Sequence, residues 1–224
     1  MTARLLSVNV VNALIPDVRG DLEKTAIDKR PVVGPVAVSA ADAEQVGLAG
    51  DQVVDTRHHG GPDKAVYAYA VEDLRWWADD LGRDLPPGTF GENLTTEGLD
   101  VTGAVIGERW RLGSEVELEV TYARIPCRTF HGWMDEPHWV KRFSEHGAPG
   151  AYLRVVRGGA IEAGDPVEVL HRPDHGVTIG ETFPIAKATD DQIEALLAMP
   201  GLGHALERAA RLALAGRERH RVRP

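Results

Sequence analysis

Between Glu115 and Tyr122 the chain alternates strictly. Val116, Leu118, Val120 and Tyr122 are apolar, while Glu115, Glu117, Glu119 and Thr121 are polar. A period of two is the mark of a β-strand with one wet face and one buried face. Arg124 continues the apolar parity, so a strand that ran on would carry a charge inward, where it needs a partner. Pro126 removes a ladder donor and ends regular pairing. Cys127, the single cysteine of the 224-residue chain, therefore falls on a loop leaving the strand, between Arg124 and Arg128.

The segments around this strand are short. Leu5 to Val11 reads as a first strand and Asn12 to Gly20 as a loop. Lys24, Lys29 and Arg30 precede an extended, proline-interrupted run from Val32 to Val38, and on spacing alone they belong to a solvated edge. Ser39, followed by Asp42, predicts a capped short helix ended by Gly47. Arg57-His58-His59-Gly60-Gly61-Pro62-Asp63-Lys64 is a glycine-proline loop bracketed by imidazoles and cations. Such loops bring backbone N–H groups near an anion, although most are simple turns. Ala65 to Ala70 is a strand, and Val71, Leu74, Trp77, Ala78 and Leu81 give an amphipathic helix.

The connection from Pro86 to Gly98 contains Phe90-Gly91-Glu92-Asn93-Leu94-Thr95-Thr96, in which Asn93 serves the backbone or a ligand with equal chemistry. Further short strands fall at 105–106, 110–112, 152–156, 160–161 and 166–170, with a helix around Trp139 to Phe143. Helices of 10–15 residues alternating regularly with strands are missing, so the class is a β-rich α+β fold, its last strand suited to closing a barrel. Residues 1–172 form this barrel-like domain. Residues 173–216 form a helical appendage, opened by a Thr189–Gln192 capping box. Residues 217–224, with alternating arginines, form a basic disordered tail.

A net charge of −9 opposes binding of nucleic-acid polymers, and a hydrophobic content of 43% supports a sizeable core. One cysteine excludes an intramolecular disulfide. No segment approaches the roughly 20 apolar residues of a membrane span, and the first residues lack a signal-peptide layout; the expectation is a cytoplasmic protein. No His-Glu-x-x-His or Cys-x-x-Cys spacing occurs, so no protein-only metal site is expected. A free thiol with a pKa near 8.5 is only about 3% thiolate at pH 7, and a soft metal would deprotonate it outright. The chain offers one such soft ligand, which suits a metal whose other ligands come from a cofactor.

Five motifs occur in order: Lys-Thr-Ala-Ile-Asp-Lys (24–29), Gly-Leu-Ala-Gly-Asp (47–51), His-Gly-Gly-Pro-Asp (59–63), Phe-Gly-Glu-Asn-Leu-Thr-Thr (90–96) and Arg-Ile-Pro-Cys (124–127). Together they resemble the MOSC family, and within it the YiiM-like branch, over about residues 4–170. The helical end resembles the small three-helix domain that follows MOSC there. The resemblance implies a β-barrel-like fold and binding of the molybdenum cofactor, a molybdenum dithiolene pterin carrying a phosphate. It implies that Cys127 ligates molybdenum, that Lys29, Lys24 and Arg124 serve phosphate and pterin, and that His59 and Asn93 line the pocket. The implied activity is reduction of N-hydroxylated compounds, including hydroxylamino-purines, with electrons from an external electron-transfer protein. At Arg128-Thr129 the chain departs from relatives that carry an aromatic and a lysine. Two other readings of Cys127 stand beside this one: a carrier of cofactor or sulfur without turnover, and a cofactor-free thiol enzyme using His59 or His131 as base.

Overall fold

The computed structural model describes residues 2–41 and 47–221, so the short helix expected after Ser39 lies outside the described residues. In chain order the strands are β1 (Arg4–Val11), β2 (Ile15–Pro16), β3 (Lys24–Thr25), β4 (Lys29–Pro31), β5 (Val36–Val38), β6 (Val66–Ala70), β7 (Leu94–Glu97), β8 (Arg109–Leu112), β9 (Val116–Ala123), β10 (Ala151–Arg157), β11 (Gly159–Ile161) and β12 (Val167–His171). The helices are α1 (Thr56–His59), α2 (Val71–Leu81), α3 (Arg128–Met134), α4 (Trp139–His146), α5 (Asp190–Leu197) and α6 (His204–Arg221), with a 3-10 turn over Pro62–Lys64.

Eight strands form one sheet in the order β12-β8-β9-β10-β6-β7-β1-β4. Only the β6–β7 pair is parallel, and α2 makes the crossover between them. All five residues of β6 are buried, as a strand covered on both faces requires. The α+β class holds, but the sheet does not close into a barrel. β1 pairs with β7 along one edge, while its other edge is divided. Asn9 to Val11 pair with β4, and near Arg4 the chain meets the lead-in to β12 through an isolated bridge to Pro166 and three backbone hydrogen bonds, not a strand ladder. An edge already occupied by β4 leaves β12 no continuous ladder to join.

The alternation of β9 survives as far as Val120, with Val116, Leu118 and Val120 buried. The register against β10 then shifts, since Tyr152 faces Tyr122 and Leu153 faces Val120. Thr121 is thus the extra residue of a β-bulge, and its hydroxyl donates to Tyr152 O at 2.9 Å. Bulges re-aim the side chains that follow them. Here Tyr122 turns partly outward, and Ala123 and Arg124 are buried.

Helices α2, α3 and α4 cover the sheet through an aromatic cluster. Phe90, Phe130 and Phe143 lie 5.2–5.9 Å apart by ring centroids, mostly edge to face, and Trp77 meets Trp139 at 4.6 Å. This cluster seats α3, the helix that begins at Cys127. At the other end, the Thr189–Gln192 capping box opens α5 as expected. Leu196 and Leu206 join the main core, whereas Ile193 and Ala210 make a small second one. Helix α6 runs through Arg221, past the boundary expected for a disordered tail. Arg217 anchors it, donating to Ala188 O at 2.5 Å and pairing with Asp190. Among the described residues no helix is long and apolar enough to cross a membrane.

Phe143 is fully buried against four of these rings. Phe143→Ala is expected to cost about 3–5 kcal/mol, read as a lower urea midpoint.

Candidate cofactor pocket

Cys127 is not on an open loop. It is the N-cap residue of α3, with extended backbone, and Sγ accepts from Phe130 N at 3.4 Å. β9 ends at Ala123 and four irregular residues, Pro126 among them, lead straight into α3, so the sulfur sits at a strand-to-helix corner on the wall of a cleft. That cleft encloses about 720 Å³ of space, its open mouth included, and Lys29, His59, Asn93, Arg124 and Cys127 all line it. Lys24 does not, because it lies exposed in the β2–β3 hairpin.

Arg124 is 4% exposed. Its guanidinium carbon stands 3.8 Å from the Phe130 ring centroid and 5.3 Å from that of Tyr67. Such stacking contributes about 2 kcal/mol when desolvated, and the Tyr152 hydroxyl is also in reach of the guanidinium. Burial opposes the charge, but Tyr67, Tyr152 and Cys127 around it sustain it. Among the described residues Nη1 is nevertheless buried with no hydrogen-bond partner, and no carboxylate pairs with the side chain. A buried, positive and under-used donor on a cleft wall is fitted to an anion.

Lys29 differs in this respect. Its ammonium forms a buried ion pair with Asp51, the two side chains being 9% and 3% exposed. Burial pulls its pKa down against the attraction of Asp51. Asp51 also accepts from Val11 N at 3.0 Å and from Asn93 Nδ2 at 2.8 Å. Asn93 in turn accepts from Tyr67 N at 3.1 Å and donates to Asn9 O at 3.3 Å. Its amide is committed to joining β1, β6 and Asp51, which makes it a framework residue at the cleft floor. Next to it, Glu92 is fully buried and accepts from Gly88 N, Phe90 N and Thr95 Oγ1 at 2.5–2.9 Å. Burial raises its pKa. Gly88, at φ 90°, packs so closely on Lys29 O that a Cβ would collide with it.

The glycine-proline loop supplies the opposite wall. His59 Nδ1 shares a hydrogen bond of 2.9 Å with the Tyr152 hydroxyl. Burial, and then the Arg124 charge, push the His59 pKa down to about 4, with Lys64 adding to the effect. Burial also raises Tyr152 to about 12. Lys64 lies 5.7 Å from the ring centroids of both Tyr122 and Tyr152 and donates to His58 O at 2.5 Å. It faces the cleft without a salt-bridge partner among the described residues.

Asp51, Lys64, Tyr67 and Tyr152 are lining residues that motif reading does not single out. Lys64 carried a signal, as the cation closing the histidine-glycine loop. Tyr152 carried none, because only the β9–β10 pairing brings it to Arg124. Sγ of Cys127 bonds Phe130 N rather than an imidazole. His131 Nε2 instead meets Arg19 Nη1 at 2.8 Å, outside the cleft. Arg128 and Thr129 are used structurally, pairing with Asp21 at 3.2 Å and Asp17 at 2.9 Å on the β2–β3 hairpin. Among the described residues no group of three or more His, Cys, Asp or Glu side chains is placed to hold a metal ion.

An open α+β sheet whose cleft joins one thiol to a buried, unpaired guanidinium defines a small-molecule or cofactor-binding domain. The MOSC domain profile matches residues 55–168, and the chain belongs to the MOSC domain family, which is associated with the molybdenum cofactor. It is similar to the uncharacterized protein YflK of Bacillus subtilis strain 168, at 33% identity over 175 residues, covering 78% of this chain and 76% of that protein. YiiM of Escherichia coli K12 is 31% identical over 164 residues, covering 70% and 72%. A protein of Gibberella moniliformis named Reductase is 33% identical over 156 residues, which are 66% of this chain and 26% of that protein. The crystal structure of YiiM from Geobacillus stearothermophilus superposes with a TM-score of 0.76 at 27% identity, covering 95% of this chain and 99% of that one.

Because the unfolded His59 ring titrates near 6.5 and the folded ring near 4, the unfolded chain binds the extra proton between those values. Stability from this group is present above pH 6.5 and is lost as pH falls toward 4. Urea unfolding is expected to show about 2 kcal/mol of loss between pH 7 and pH 5 that is absent in His59→Gln. Equal pH dependence of the two proteins would contradict the assignment.

Proposed function

We propose that this cleft binds the molybdenum cofactor and that the protein reduces N-hydroxylated compounds, such as hydroxylamino-purines, with electrons from an external donor. The observation carrying this reading is Arg124 Nη1, a buried donor with no hydrogen-bond partner among the described residues, lining the same cleft as the one thiol in the chain. The donor set fits the group: Cys127 would ligate molybdenum, while Arg124 would bind its anionic part. Lys64 extends the positive wall. Lys29 contributes indirectly, since Asp51 already balances its charge. The family and the relative named Reductase support a redox role.

The cofactor supplies the redox chemistry when bound. The reaction breaks one N–O bond and consumes two electrons and two protons, leaving N–H and water. The chain's own residues prepare the cleft. Leu22, Ile27, Val53 and Val54 give it apolar walls that exclude water from part of its surface. Tyr152, protonated up to about 12, holds a proton at Oη beside His59 Nδ1. His59 is neutral at pH 7, so it adds no charge to a wall already made positive by Arg124 and Lys64. An apolar cleft with a few convergent polar groups is the usual build of a small-molecule site.

Protein loaded with cofactor and supplied with a reduced viologen is expected to convert 6-N-hydroxylaminopurine to adenine. Cys127→Ala is expected to lose at least a hundredfold in rate. Loaded protein that binds molybdenum stoichiometrically yet shows no turnover with any N-hydroxylated base would favour a carrier role.

A further inference from the structure

The glycine-proline loop is fastened from outside the cleft by one side chain, Asp63. Its carboxylate is bonded to the start of the C-terminal helix and to β10. One oxygen accepts from His204 N, the first residue of α6, at 3.0 Å. The other pairs with Arg154 Nη2 on β10 at 2.9 Å. Arg154 Nη2 also donates to Gly201 O at 3.0 Å, within the bend that precedes α6. The Asp63 carbonyl lies 2.5 Å from Oγ1 of Thr121, the bulge residue of β9, whose one hydroxyl proton it shares with Tyr152 O. The Asp63 and Arg154 side chains are only 23% and 26% exposed, so solvent screens the pair incompletely.

Lys64, the next residue, has its own amide bonded to Gly61 O at 3.0 Å and its ammonium over the Tyr122 and Tyr152 rings. One 3-10 turn therefore presents an acidic side chain to the helices and a basic one to the cleft. The α6 end is fixed independently, because Leu206 is fully buried in the main core, and Met199 and Leu202 pack against that core.

We infer that Asp63 is a positioning residue that uses the start of α6 as a brace, so that the C-terminal helices complete the cofactor cleft by holding Lys64 and His59 in place. The consequence for cofactor retention rests on the function proposed above, whereas the mechanical coupling does not. Burial alone does not account for the arrangement. An aspartate that merely capped a helix would have no need to sit in the turn that carries a cleft cation, nor to share Arg154 with Gly201.

Hydrogen exchange on full-length, cofactor-free protein separates the two. Asp63→Ala is expected to speed exchange of the Lys64 amide at least tenfold. Asp63→Asn keeps an N-cap acceptor for His204 N but loses the charge pair, and is expected to fall between. Leu206→Ala loosens α6 without touching the turn, and is expected to speed the Lys64 amide as well. In Asp63→Ala the His59 ring, carried by a turn no longer braced, is expected to change its titration by NMR. If Leu206→Ala speeds only the α6 amides, or if the His59 titration is unmoved in both Asp63 variants, the brace is overturned. On loaded protein, Asp63→Asn is expected to release molybdenum at least threefold faster than the unmodified chain, and an equal release rate would also overturn it. A chain that binds no molybdenum at all, yet shows the exchange and titration changes, would defeat the cofactor reading and leave the brace standing.

Discussion

One buried carboxylate organises the cleft. Asp51 gathers Lys29 from β4, the Val11 amide from β1 and the Asn93 amide from the lead-in to β7. Asn93 then reaches β6 through Tyr67 N. Removing one partner from such a buried pair leaves an uncompensated charge and costs about 3–5 kcal/mol. The node therefore fixes where three neighbouring strands sit relative to one another at the cleft floor. Beside it Glu92, satisfied by two amides and a hydroxyl, shapes the turn that carries Phe90 into the aromatic core. The cleft is rigid where these polar groups are fully used.

This accounting separates two kinds of cation. Lys29 belongs to the framework, while Arg124 and Lys64 face the cleft with capacity left over. A chain with a net charge of −9 can still attract an anion there, because a desolvated guanidinium at contact distance outweighs remote charges screened over about 8–10 Å. Phe130 and Tyr67 present ring faces to Arg124, which offset part of the cost of burying its charge. The same Phe130 supplies the amide that meets Cys127 Sγ. Phe130, in the first turn of α3, thus touches both the sulfur and the guanidinium.

Much of this was legible from residues alone. Period-two alternation located β9, apolar spacing located α2, and the capping box located the start of α5. The collinear motifs placed Lys24, Lys29, His59, Asn93, Arg124 and Cys127 together, and all of them but Lys24 line the cleft. Arg124 is buried as its parity predicted, but for a different reason, since the bulge at Thr121 resets the parity before the chain reaches it. Motif order did not distinguish a spent cation from an available one. That depends on Asp51, whose role is set by long-range pairing. Tyr152 and Asp63 were illegible for the same cause, as their partners lie 93 and 141 residues away. The open sheet was missed because short strands with turn signals look alike whether or not the last one closes a barrel. The continuation of α6 past residue 216 was missed because an arginine-rich end gives no sign of a carbonyl and a carboxylate waiting on α5 and its approach.

The proposed function makes Cys127 the protein's one bond to the metal and Arg124 the charge beside it. X-ray absorption at the molybdenum edge of the loaded protein tests the first of these most directly. Ligation by Cys127 predicts a sulfur shell that loses one scatterer in Cys127→Ser, with the remaining sulfurs unchanged. An identical sulfur shell in both proteins would contradict it.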